Sequence, residues 1–118
     1  MTAKPTIDQI TKEVNNFTSE RDWNQFHSVK NLSMALSVEV SELVELSQWL
    51  TQDESNRPSE KLLEQYKDES ADVLIYLLLI SSKLGFDVIE AALEKIRKNK
   101  AKYPVEKSKG SRQKYTDL

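Results

Sequence analysis

Leu32-Ser33-Met34-Ala35-Leu36-Ser37-Val38-Glu39-Val40-Ser41-Glu42-Leu43-Val44-Glu45-Leu46 decides how this chain is read. At about 100° per residue, Leu32, Ala35, Leu36, Leu43 and Leu46 fall on one helical stripe. The helix starts near Ser28 or Asn31 and runs to about Leu50, so Trp49 and Leu50 extend that stripe. Glu39 and Glu42 lie in its middle, while Glu45 turns toward solvent. A second long segment repeats the arrangement. Ser59 caps a helix that runs to Leu84, with Leu62, Tyr66, Val73, Leu77, Ile80 and Leu84 on its stripe. Glu69, Asp72 and Tyr76 sit along that line and Asp68 points away. Each long helix therefore carries two carboxylates at i, i+3 on its core-facing side, and residues three apart are neighbours on a helix surface.

The rest of the 118-residue chain fits around these two helices. Thr6 with Gln9 is a capping-box pattern, and it opens a first helix with the stripe Ile7, Ile10, Val14 and Phe17 that fades near Glu20. A connector, residues 21–27, holds Trp23, Phe26 and the only histidine, His27. Residues 51–58 read as a polar loop. Gly85 stands where a helix-terminating glycine belongs. Asp87 with Glu90 reads as another capping box, opening a last helix that Pro104 stops near Lys102. Val88, Ala91 and Ala92 give that helix an inner face, which Lys95, Asn99 and Lys102 continue. Residues 105–118 read as a basic tail without structure of its own. This divides the chain into a helical domain, 1–104, and the tail, 105–118.

Composition excludes much else. Two glycines and three prolines are too few for the hairpins of a sandwich or barrel. No cysteine means no disulfide framework, no thiol nucleophile and no Cys-ligated metal. There is no long apolar run to span a membrane and no apolar leader at the start, so a cytoplasmic protein is expected. A net charge of −2 disfavours bulk binding to nucleic acid. The expected architecture is an all-α four-helix bundle. The third segment is apolar on nearly every side from Val73 to Ile80. One small chain has too few helices to cover it, so completion by oligomerisation is expected.

Four carboxylates facing one another across a dry seam would repel, and each would cost several kcal/mol to desolvate. Something must neutralise them, either lysines or a hard divalent cation. Hard oxygen donors, no thiol and a single imidazole on the connector fit Mg²⁺, with Mn²⁺ as the alternative, rather than Zn²⁺ or a di-iron centre. Lys95 on the last helix would suit a phosphate beside such a site.

Glu39-x-x-Glu42 followed by Glu69-x-x-Asp72 resembles the metal signature of the all-α nucleoside triphosphate pyrophosphohydrolases, the MazG-like superfamily. The flanking blocks resemble its dCTP pyrophosphatase branch. These are the connector from Glu20 to His27, Lys30-Asn31-Leu32, Gln48-Trp49, the run from Asp72 to Leu77, Lys95, Asn99, Tyr103-Pro104, Ser111-Arg112 and Lys114-Tyr115-Thr116. The resemblance covers nearly the whole chain. It implies that Glu39, Glu42, Glu69 and Asp72 hold Mg²⁺ and carry catalysis, releasing pyrophosphate and a nucleoside monophosphate from dCTP, a modified dCTP or dATP. It implies a nucleoside pocket from Trp23, His27, Trp49 and Tyr76, with polar contacts from Lys30 and Asn31. Lys95, Asn99, Lys102, Arg112 and Lys114 would reach the phosphates or sugar. It also implies a homotetramer built as two dimers, and no nucleic-acid or membrane partner. Val14 stands where relatives carry a polar residue, which leaves the base preference open. Which carboxylate is the general base is also open, with Glu42 the reading taken. Two rivals remain: a non-enzymatic helical interaction module whose acids pair with partner lysines, and the same fold acting on dUTP or phosphoribosyl-ATP.

Overall fold

The computed structural model describes residues 3–118. Among the described residues all regular structure is helical: α1 (Ile7–Glu20), α2 (Val29–Glu45), α3 (Gln52–Asn56), α4 (Glu60–Leu84), α5 (Val88–Lys102) and α6 (Val105–Ser108), with 3-10 turns at Asn24–Phe26 and Tyr115–Asp117. The chain forms two compact units, one ending at Gly85 and one beginning at Phe86. None of these helices is long and apolar enough to cross a membrane.

In the first unit α2 packs along α4, and α1 also lies on α4. Leu32 shares a cleft with Leu79, and Glu39 meets Asp72. Moving toward the C-terminus of α2 thus moves toward the N-terminus of α4, so the two helices run antiparallel. Leu32, Leu78 and Leu79 are the buried apolar residues, at one end of this pairing. Two buried hydroxyls accompany them, both satisfied locally: Thr18 Oγ1 donates to the Asn15 carbonyl and Ser81 Oγ to the Leu78 carbonyl. The carboxylates lie farther along the same seam.

The caps set these boundaries. Thr6 and Gln9 form a reciprocal capping box at α1. Ser28 Oγ accepts from the Asn31 amide and Ser59 Oγ from the Leu62 amide. Gly85 ends α4 with φ at 72°, a left-handed conformation that glycine adopts without steric cost. Asp22, at φ 54°, makes a second left-handed turn and is braced by Gln25, whose Nε2 donates to its carbonyl and its carboxylate. That turn reverses the chain after α1 and brings Trp23 edge-on to Phe17, with ring centroids 5.4 Å apart.

Four expectations are corrected here. First, α2 stops at Glu45, not Leu50. The chain then turns through residues 46–50, which leaves Trp49 88% exposed and off the apolar stripe. Second, the polar stretch after Leu50 is not all loop. Thr51 and Glu54 form a capping box that starts α3. Third, Asp87 Oδ1 accepts from both the Ile89 and Glu90 amides, without the reciprocal Glu90 bond of a capping box. The supposed inner-face residues Ala91 and Ala92 on α5 are exposed. Fourth, the tail has structure: α6 forms after Pro104, and Tyr115 packs edge-on to Tyr103 with Lys102 Nζ 4.8 Å from the Tyr115 ring centre. Aromatic and cation–π contacts are what a charge count of the tail leaves out. Along α4 the register also shifts slightly, burying Leu78 and Leu79 while Leu77 and Leu84 remain exposed.

Candidate active site

α2 and α4 each project half-buried carboxylates into the seam, Glu39 and Glu42 from one and Glu69 and Asp72 from the other. Glu39, Glu69 and Asp72 each offer an oxygen within 4.8 Å of the other two. Glu39 Oε2 and Glu69 Oε2 are buried and have no hydrogen-bond partner. Buried polar atoms are nearly always satisfied, so the two orphaned carboxylate oxygens are groups that could hold a cation. The electrostatics agree. Desolvation raises the Glu39 pKa to about 7, helped by its hydrogen bond with Glu69 and by the charges of Glu42 and Asp72. Desolvation also raises that of Glu69; its hydrogen bond with Glu39 opposes the rise, and Glu42 and Asp72 add to it. Without a cation Glu39 and Glu69 hold their protons above the usual carboxylate range. All-oxygen donors suit a hard divalent ion. Glu42 acts on Glu39 and Glu69 through its charge but lies outside the tight set of three.

Beside this cluster, α1 and α4 enclose a cavity of about 500 Å³. Ile10, Val14, Phe17, Ile75 and Leu79 make it apolar, Trp23 and Tyr76 add aromatic faces, and Asp72 belongs to both cavity and cluster. The Tyr76 hydroxyl has its pKa raised by burial and by the charges of Glu39 and Asp72, so it stays protonated. The cavity thus joins an acidic centre to a slot for a flat, apolar-faced group. Base rings stack on such aromatic side chains.

The other expected binding residues are placed differently. His27 lines a separate polar cleft of about 280 Å³ with Asn15, Asn24, Ser82 and Lys83, and not the cavity that holds Trp23 and Tyr76. Its Nδ1 is buried without a partner. Asn31 donates its side-chain amide to the Phe26 carbonyl, closing the connector onto α2. Lys30 is exposed. In the second unit Lys95, Asn99, Lys102, Arg112 and Lys114 are all exposed. The sequence reading missed Glu13, which lines the cavity from α1. It placed Ile10 on an apolar stripe without a pocket role, because apolar residues at i, i+4 have the same spacing whether they pack or line a pocket.

An antiparallel pair of helices that brings three carboxylates together beside an aromatic slot, with a fourth acid at the edge, is the arrangement of an all-α hydrolase of phosphate anhydrides. The chain belongs to the MazG-like family, whose model matches residues 34–118. It is 41% identical to dCTP pyrophosphatase 1 of Rattus norvegicus over 98% of its own length and 69% of that protein's. It is 40% identical to dCTP pyrophosphatase 1 of Homo sapiens, with the same coverage. The fold matches that of a pyrophosphatase from Archaeoglobus fulgidus with a TM-score of 0.80, at 34% identity, covering 88% of this chain and 97% of the other.

Proposed function

We propose that this chain is a Mg²⁺-dependent nucleoside triphosphate pyrophosphohydrolase that converts dCTP, or a base-modified dCTP, to the monophosphate and pyrophosphate and so cleans the nucleotide pool. One observation carries the reading: carboxylates of α2 and α4 converge within 4.8 Å, and one of them, Asp72, also borders the apolar aromatic cavity. In this reading Glu39, Glu69 and Asp72 hold the cation, with Glu42 at the edge of the set. When bound, Mg²⁺ would neutralise charge on the triphosphate oxygens and lower the pKa of a bound water. Glu42 is left to take a proton from the attacking water. Trp23 and Tyr76 sandwich or edge the base. Lys95, Asn99, Lys102, Arg112 and Lys114 are assigned to phosphates and sugar, in a homotetramer whose sites draw on more than one chain. The relatives' printed substrate, dCTP, supports the choice of base. A cytoplasmic setting goes with this role.

The test is pyrophosphate release from a panel of canonical and modified dNTPs, dUTP and phosphoribosyl-ATP with Mg²⁺, Mn²⁺ or chelator. Hydrolysis of dCTP that stops with chelator and with Glu42→Gln is expected. An inert chain across the whole panel would leave the interaction-module reading, in which Mg²⁺ has no effect on melting.

A further inference from the structure

We propose that Glu13 selects the base, its carboxylate accepting a hydrogen bond from the exocyclic amine of a 4-aminopyrimidine seated in the cavity between α1 and α4. This deepens the reading of that cavity as the nucleoside pocket and rests on it. The cavity wall is apolar apart from a few groups. Asp72 is committed to the acidic cluster. The Thr18 hydroxyl spends its proton on the Asn15 carbonyl, and its side chain is buried. The Tyr76 hydroxyl both donates and accepts, so it cannot by itself tell an amine from a carbonyl. The Trp23 indole N–H only donates, so it cannot reward an amine; Glu13 remains, exposed on α1, and no ion pair holds it among the described residues.

An ionised carboxylate only accepts hydrogen bonds. Cytosine presents an N–H₂ donor at C4, and the two groups match in a charge-assisted bond. Thymine and uracil present O4 at the same place, so the oxygens would meet lone pair to lone pair. Such a contact both rewards the amine and rejects the carbonyl, the two halves of specificity. Because Glu13 is reachable by water, the discrimination is modest, about tenfold.

The experiment compares kcat/KM for dCTP and dTTP in the parent chain, Glu13→Gln and Glu13→Ala, and in parallel measures dCMP and dTMP binding by calorimetry. The carboxamide of Gln turns either its oxygen or its amine inward, so it accepts both bases. Glu13→Gln is expected to lower the dCTP/dTTP ratio by about tenfold, and Glu13→Ala to lower it as well. If Glu13 only shapes α1, both substrates fall together, the ratio holds, and the proposal is overturned. If the parent hydrolyses neither nucleotide, the pyrophosphohydrolase reading fails, and the binding arm still decides on Glu13. A parental preference for dCMP that Gln abolishes supports it, and equal binding of dCMP and dTMP by the parent overturns it.

Discussion

At Glu39 two effects act in the same direction, and their sum is measurable. Burial and three neighbouring acids hold its pKa at about 7, against 4.5 for a free carboxyl. Between those values the folded chain binds a proton that the unfolded chain has released. Stability therefore falls as pH rises through that window and levels off outside it. A divalent cation reverses this by binding the deprotonated form, so its affinity rises with pH up to about 7 and flattens above. Thermal melts from pH 5 to 8, with and without Mg²⁺, should converge at the acid end and separate toward neutral pH. Glu39→Gln removes the repulsion and the proton together. It should melt at least as high as the parent without metal, lose the Mg²⁺-induced shift, and drop turnover at least about 100-fold, more than a lost outer-shell partner costs. Melting unmoved by Mg²⁺ in the parent would count against a cation at these acids.

At the level of elements the caps are the parts most open to test. Gly85 is left-handed, and a Cβ there would meet no atom within 4 Å. The cost of Gly85→Ala is thus backbone strain alone, roughly 1–2 kcal/mol. Thr6→Ala should cost about 1 kcal/mol by removing one arm of the α1 capping box. Urea denaturation checks both, and equal midpoints for parent and Gly85→Ala would exclude the strain. The caps at Thr6, Ser59 and Gly85 were legible because each motif is local. So were the acids, since i, i+3 spacing on a long amphipathic helix is a local property too. What the sequence left hidden was non-local or ambiguous. The turn after Glu45 cut off a stripe that continues in periodicity to Trp49. Thr51 and Glu54 hid a capping box inside a stretch polar enough to pass for loop. Glu13 has no spacing that sets it apart from any solvent-facing acid, and only the cavity picks it out.

Taken whole, the chain leaves much apolar surface uncovered. Val44 is 56% exposed, Trp49 88%, Leu93 52% and Ile96 50%. Scattered apolar exposure is ordinary, but so many large side chains from one 118-residue chain fit burial against further copies. The expected result in sedimentation is a tetramer, and a monomer at micromolar concentration would contradict it. A Leu93→Glu, Ile96→Glu pair should weaken assembly if α5 contributes to the contact, with circular dichroism checking that the helices remain.

Asp72 borders both the acidic centre and the aromatic cavity. A carboxylate held by a cation on one side has fewer rotamers left to offer the other. Occupancy of the two places is therefore thermodynamically coupled, and such coupling is reciprocal. Whatever factor the cation adds to nucleoside affinity, the nucleoside must return to the cation, so the ion that most favours nucleoside binding is also the one that the bound nucleoside holds most tightly.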